Sequence, residues 1–275
     1  MKKISRICIF LGKRTHQPLA EEILCFLTDK KVHVRLLSAP EEVDRADVLI
    51  SLGGDGTLLR CARAAAPKKT AVLGINCGAL GFLAAAEQTN VHDALEQLLK
   101  GNFSVQQRMM LAVRVWNKKD TPQHFIALND CILRSAATRS ISIRAHWNKT
   151  EIPSYFGDGV ITSTPTGSTA YSLAAGGPIV EPTVNVLVVT PICPHSLHQR
   201  PIVLEANGKL TLTPVFKNTK DKALLSLDGQ TSFRLTAGAR VEISKSNLTV
   251  GLITLPKRDF FTVLHRKLNW GKEEC

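Results

Sequence analysis

The chain reads as an α/β protein in two parts. An N-terminal open parallel α/β sheet domain spans 1–100, and a mostly β, sandwich-like domain follows over 101–255. Three observations predict this. Apolar runs of strand length alternate with segments of helical period up to Gly101. Beyond Gly101 short apolar runs and strict two-residue alternation take over. With 275 residues, 44% of them hydrophobic, the chain can fill two cores.

Ile7 to Leu11 is a short apolar run, as a buried strand requires. Leu19, Ile23, Phe26 and Leu27 then recur on one helical face. Val32 to Leu37 and Ala46 to Leu52 read as the second and third strands, the third running straight into Gly53. Leu58, Leu59, Ala62, Ala65 and Ala66 make the next helical stripe, which Pro67 ends. Thr70 to Ile75 is the fourth strand. Val91, Ala94, Leu95, Leu98 and Leu99 form an amphipathic helix closed by Gly101. In the second part Ile141, Ile143, Ala145 and Trp147 alternate with polar residues. Val186–Thr190, Leu210–Thr213, Leu224–Leu227, Val241–Ser244 and Leu248–Ile253 are further strands. Asn207-Gly208, between two apolar runs, predicts a hairpin. Phe260, Leu264 and Leu268 return to helical spacing.

A net charge of +12 favours anionic partners, nucleic acid or phosphorylated small molecules. The basic residues come in scattered pairs (Lys30-Lys31, Lys68-Lys69, Lys118-Lys119, Lys257-Arg258) and form no basic tail. Seven cysteines without a Cys-x-x-Cys spell neither a disulfide framework nor a zinc site. Cys8, Cys25, Cys61 and Cys131 fall in apolar runs, where a thiol acts as a small hydrophobe, and this suits a cytoplasmic protein. The basic start Met1-Lys2-Lys3 is followed by too short an apolar run for a signal peptide, and no window reaches membrane-span length.

Residues 155–177 are crowded with glycines and small hydroxyls, which admit a ligand close to the backbone and offer it hydrogen bonds. Tyr171 adds an aromatic face. Upstream, Gly53-Gly54-Asp55-Gly56-Thr57 follows a strand and opens a helix, where backbone N–H groups and the helix dipole can hold phosphate. It is neither a Walker A loop nor a Rossmann fingerprint, since Gly-Lys-Ser/Thr is absent and Leu59 stands at the third glycine position. Asp55 among phosphate donors makes sense as a metal contact or as a base for a hydroxyl. The plainer reading is a tight turn with Thr57 as helix cap. Asn76-Cys77-Gly78-Ala79-Leu80-Gly81-Phe82-Leu83 opens beside it as a turn or a second ligand loop. Asn129-Asp130 is a ribose-binding pair or a polar bulge between strands. Asp158, between Gly157 and Gly159, and Asp228-Gly229-Gln230 are hairpin turns or ligand contacts. His195 and His198 lack a third ligand for a metal site.

These residues resemble the NAD kinase family. Gly53 to Thr57 resembles its glycine-rich loop, Asn129-Asp130 its second short motif, and Gly157 to Val180, centred on Thr164 to Ser172, its most specific signature. Leu80-Gly81-Phe82, Pro194-His195-Ser196-Leu197 and Asp228-Gly229-Gln230 fall in family order. The resemblance implies transfer of the terminal phosphoryl of ATP, or of another donor, to the 2′-hydroxyl of the adenosine ribose of NAD. A divalent metal, usually Mg²⁺, would assist, with no protein ligands assigned to it. It implies a site in a cleft between two domains, a homodimer or homotetramer, and a tail, 256–275, packing back on the first domain.

By this resemblance Asp55 is the general base or orienting carboxylate, and the amides of Gly53, Gly54, Gly56 and Thr57 hold phosphates. Asn129 and Asp130 bind ribose hydroxyls or the nicotinamide end, and Asp158 hydrogen-bonds the dinucleotide. Thr169 and Ala170 make close contacts, Tyr171 packs on adenine and Arg139 meets phosphate. Phe82, Thr166, Ser172, Leu173, Ala174 and Gln230 complete the nucleotide-binding set. Two rival readings remain open: a lipid kinase of the diacylglycerol type, which shares the glycine loop, and a basic nucleic-acid-binding protein. Against them stand the lack of an amphipathic basic helix and an aromatic content of 5%, scant for base stacking.

Overall fold

Each apolar run of the first hundred residues becomes a strand of one parallel sheet. The computed structural model describes residues 4–78, 81–117, 121–218, 221–256 and 258–269. Ala79 and Leu80 of the second glycine loop, Met1 to Lys3, Lys118, Lys119 and Lys257 lie outside them. The chain divides into two units, Met1–Arg108 with Thr249–Cys275, and Met109–Leu248.

In the first unit the elements run β1 (Arg6–Leu11), α1 (Gln17–Asp29), β2 (His33–Leu37), β3 (Val48–Leu52), α2 (Asp55–Ala65), β4 (Ala71–Asn76), β5 (Ala86–Glu87) and α3 (Val91–Lys100). The strands pair in parallel, β2 to β1, β1 to β3, β3 to β4 and β4 to β5. β3 is buried along its whole length, which is why its sequence is apolar apart from Ser51. Leu19, Ile23 and Leu27 of α1, and Leu95 and Leu98 of α3, pack in this core with Ile7, Ile9, Ile50 and Leu73. Gly101 closes α3 with a φ of 78°. Cys8, Cys61 and Cys131 are buried, but Cys25 is exposed on α1. The inward stripe of that helix runs through Leu19, Ile23, Phe26 and Leu27 and passes Cys25 by.

The second unit is an antiparallel sandwich. Its strands are β6 (Ser104–Trp116), which starts in the first unit, β7 (Gln123–Ala127), β8 (Asp130–Ser135), β9 (Ile141–Trp147), β10 (Thr150–Gly157), β11 (Gly159–Ser163), β12 (Val186–Ile192), β13 (Ile202–Glu205), β14 (Lys209–Val215), β15 (Ala223–Leu227), β16 (Thr231–Leu235) and β17 (Arg240–Thr254). A short helix, α4 (Tyr171–Ala174), follows β11. One sheet runs β13-β12-β11-β8-β15-β16, and facing strands include β10-β9-β14-β17. Val113, Leu133, Ile143, Val160, Val189, Leu212 and Leu225 meet between them.

Two expectations change here. Val241–Ser244 and Leu248–Ile253 belong to one strand, β17, whose later residues pair in parallel with β4, Leu252 opposite Val72. The polar break at Lys245 to Asn247 does not end the strand, because Ser246 is buried and its Oγ accepts from the Leu248 N–H at 3.0 Å. Asn207-Gly208 is no hairpin. β13 pairs with β12, whereas β14 pairs with β9 and β17, so the chain changes sheets there. A type I′ hairpin needs positive φ at both central residues, and neither Asn207 nor Gly208 has it. Asp228 and Gly229 do, at 50° and 65°, and they form the tight hairpin joining β15 to β16.

The tail forms α5 (Phe260–Leu268) and groups with the first unit. The Asp259 carboxylate caps it, accepting from the Thr262 N–H at 3.0 Å and the Thr262 hydroxyl at 2.6 Å.

Candidate active site

In the first unit three chain segments meet at the C-terminal ends of the parallel strands, where open α/β sheets bind ligands. Gly12 follows β1, Gly53 follows β3 and Cys77 follows β4. The Gly53 N–H donates to the Ile75 carbonyl at 3.1 Å and the Gly12 N–H to the Leu52 carbonyl at 2.9 Å. Thr57 lies over both glycines. The cap of α2 is Gly54, not Thr57, which sits one turn inside. Thr57 therefore packs the loop together instead of terminating the helix.

Asp55 stands in the first turn of α2, partly exposed. Its Oδ2 accepts from the Phe82 N–H at 2.9 Å and its Oδ1 from the Leu83 N–H at 3.2 Å. These bonds aim the carboxylate and leave each oxygen a further lone pair. Gly81 makes the approach possible, since a Cβ there would stand 2.2 Å from Asp55 Oδ1. Phe82 thus acts on Asp55 through its backbone.

Arg258, just ahead of α5, is a residue the sequence reading passed over as half of a basic pair. Its Nη1 pairs with Glu87 Oε1 at 3.7 Å, while Nε and Nη2 are buried with no hydrogen-bond partner among the described residues. Burial lowers its pKa, and the charges of Glu87 and Asp55 act in the opposite sense. No local motif marks such a residue; only folding seals it.

In the second unit Leu128-Asn129 links β7 to β8, and Asp130 opens β8 opposite Ser163 of β11. Asn129 and Asp130 are buried, and Asn129 Oδ1, Asp130 Oδ1 and Ser163 Oγ have no protein partner among the described residues. Buried acceptors without partners are costly unless a ligand supplies donors. Burial first, then the Asp228 charge, pushes the Asp130 pKa up to about 7.

The hydroxyl-rich stretch divides its labour. Ser168 Oγ donates to the Pro165 carbonyl at 2.7 Å and accepts from the Val180 N–H at 3.0 Å. Ser172 Oγ bonds Thr190 Oγ1 at 2.8 Å, inside the fold. Thr169 Oγ1 donates to the Thr166 carbonyl at 3.3 Å, and Thr166 is itself buried. Tyr171 is 40% exposed. Ala170 and Leu173 are half-buried, and Ala174 and Gln230 exposed.

Asn129, Asp130, Ser163 and the Thr164–Ala174 stretch gather at one end of β11. Asp158 precedes Gly159 at the other end, where Gly159 pairs with Arg134. Arg139 is exposed in the loop after β8, next to Ser140, whose Oγ bonds His195 Nε2 at 2.7 Å. His195 also sets its ring edge-on to Phe156. The fold therefore separates Asp158 and Arg139 from Asn129-Asp130 within the unit. No set of three or more His, Cys, Asp or Glu gathers as metal ligands among the described residues.

Two family models match the chain. The ATP-NAD kinase N-terminal domain covers 11–103 and the ATP-NAD kinase C-terminal domain covers 129–255. An NAD kinase of Trichlorobacter lovleyi is 36% identical over 287 residues, covering 98% of this chain and all of that protein. One from Caldanaerobacter subterraneus is 39% identical over 253 residues, 92% of this chain and 88% of that one. A yeast NADH kinase solved with NADH shares the fold at a TM-score of 0.91 and 21% identity, over 100% of this chain and 90% of that one. An NAD kinase from Archaeoglobus fulgidus solved with ATP superposes with a TM-score of 0.79 at 27% identity, over 96% and 98%. Neither the lipid-kinase nor the nucleic-acid reading gains support from these matches. By the extent and identity of these matches, the chain belongs to the NAD kinase family.

Proposed function

We propose that the chain transfers the terminal phosphoryl of ATP to the 2′-hydroxyl of the adenosine ribose of NAD, yielding NADP. The observation that carries this is the Asp55 carboxylate. It stands at the start of α2 beside a glycine loop, aimed by two amides of the neighbouring loop. A carboxylate so held can orient an incoming hydroxyl and take its proton; the Gly53 and Thr57 amides, expected to hold phosphate, are spent on the Ile75 and Gly54 carbonyls, so phosphate oxygens fall to the Gly54 amide and the Arg258 guanidinium. The dinucleotide falls to 101–255: Asn129 and Asp130 accept ribose or nicotinamide-end hydrogen bonds, and Tyr171 packs against adenine. Thr166, Thr169, Ala170, Leu173, Ala174 and Gln230 line its path, and Ser172 holds that path in shape. Asp158 and Arg139 serve a more distant part of the same ligand.

The residues present do not fit a protein-held metal. No set of three or more His, Cys, Asp or Glu converges among the described residues. A divalent cation accordingly enters with ATP as part of the substrate. Free thiols suit a cytoplasmic home, and the family reading supports a homodimer or homotetramer.

The test is incubation of purified protein with NAD, ATP and Mg²⁺, reading NADP with a dehydrogenase strictly dependent on it. Asp55→Asn runs alongside and loses about 10²–10⁴ in rate with NAD affinity kept. No NADP with any nucleoside triphosphate or polyphosphate overturns the reading, and an active Asp55→Asn overturns the role of that carboxylate.

A further inference from the structure

The Asn129-Asp130 turn is tied from two distant parts of the second unit, and every backbone polar group of residues 128–130 is accounted for. The Asp228 carboxylate, about a hundred residues away, accepts the Leu128 N–H at 3.1 Å, the Asn129 N–H at 2.8 Å and the Asp130 N–H at 3.3 Å. The Asp228 N–H in turn donates to the Asp130 carbonyl at 3.1 Å. From the other side, Thr164 Oγ1 donates to the Leu128 carbonyl at 2.6 Å and the Thr164 N–H to the Asn129 carbonyl at 2.9 Å. Gly167 lies against the same carbonyl, since a Cβ there would stand 2.1 Å from Asn129 O. With the backbone satisfied, Asn129 Oδ1 and Asp130 Oδ1 remain buried and without protein partners among the described residues.

The hairpin joining β15 to β16 needs left-handed backbone at its first central residue, and Asn, Asp or Gly each supply it. The turn alone therefore does not call for a carboxylate at 228. Burying one there, 7% exposed, makes sense because three amides converge on it. We infer that Asp228 is a positioning residue for dinucleotide binding, holding Asn129 and Asp130 in the backbone geometry that points both side chains at the substrate. This rests on the proposed reading that those two side chains bind NAD. The same carboxylate also sets the charge around Asp130. Ser163 of β11 faces Asp130, Cys131 lies beside it and Asp228 stands across the turn. Burial keeps the Cys131 thiol neutral, so Asp228 is the negative charge that acts on Asp130.

The experiment compares Asp228→Asn, Asn129→Ala and the parent as full-length protein. It reads NAD affinity by calorimetry without ATP, KM for ATP, kcat, and the pH profile of kcat/KM for NAD. The expected result for Asp228→Asn is NAD affinity weaker by about tenfold or more, with KM for ATP and kcat within about threefold. Removing the charge also lets Asp130 ionise more easily, so the acid limb moves down by about one pH unit. A purely structural role lowers kcat through the folded fraction and moves neither NAD affinity nor the limb, and that outcome overturns the inference. So does Asp228→Asn behaving as the parent while Asn129→Ala loses NAD. If Asn129→Ala binds NAD normally, the dinucleotide reading of this turn fails first and takes the inference with it. Should Asp228→Asn not fold, Asp228→Glu keeps the charge on a longer arm, and the same loss of NAD affinity in folded protein supports the inference. Folding with Asp alone at 228 makes the residue structural and overturns it.

Discussion

Gly81→Ala is the sharpest perturbation the site offers, because it adds one methyl group and aims it at one carboxylate. The new Cβ would stand 2.2 Å from Asp55 Oδ1, 2.7 Å from its Cγ and 2.9 Å from Oδ2. The three nearest atoms to that Cβ all belong to the Asp55 carboxylate, so the effect falls on Asp55. Relief to ordinary contact moves the carboxylate by about 1 Å, and a shift of that size at a reacting group costs on the order of 10² in rate. The shift also lengthens the bonds from the Phe82 and Leu83 amides, 2.9 and 3.2 Å in the parent. Each such bond to a charge contributes about 1.5–3 kcal/mol. The expected result is a fall in kcat of about 10²–10³, NAD affinity unchanged, and destabilisation of about 1–3 kcal/mol from overpacking. The assay is coupled NADP formation with thermal unfolding in parallel. Gly78→Ala is the control, since a Cβ there meets nothing within 4 Å among the described residues other than its chain neighbours. A folded Gly81→Ala protein as active as Gly78→Ala refutes the claim that this contact aims Asp55.

Three further outcomes follow. Asp130 holds its proton in the native state to about pH 7, against 3.8 as its ordinary value. Its contribution to stability is therefore full below about pH 4 and lost as pH rises toward 7, where the native state must bury a charge; Asp130→Asn should raise the melting temperature at pH 8 and leave it unchanged near pH 4, and melting curves at the two values check the sign. Tyr171→Ala should weaken NAD affinity by about tenfold through the lost ring contact and leave the melting temperature unchanged, because the ring is 40% exposed; calorimetry and melting curves decide both parts. A chelator should abolish NADP formation yet leave the melting curve of the ligand-free protein unmoved, since no protein ligand set holds a cation among the described residues.

Local signals carried the first hundred residues and failed where distant partners decide. β3 and β4 were legible because a strand buried on both faces is dominated by apolar residues, and α3 because its stripe and Gly101 agree. Asn207-Gly208 misled because a turn dipeptide fixes a local reversal and not which strands then pair. The sheet change is fixed by β14 docking on β9, Asn148 Oδ1 accepting from the Lys209 N–H at 3.0 Å. Arg258 was illegible for the same reason, as its guanidinium is paired with Glu87, far upstream in the chain. The site shows the limit most clearly. Asp55, Asn129 and Asp130 stand in short motifs that local chemistry can flag. Phe82, Leu83, Thr164 and Asp228 aim them through bonds that involve backbone groups, Gly81 leaves the space, and such contacts leave no trace in spacing. A residue that touches substrate is constrained by its own side chain, whereas a residue that holds it in place is constrained by where another segment's amides end up. Asp228 belongs to the second kind: its sequence context calls for a turn, and only the fold brings the amides of 128, 129 and 130 to its carboxylate.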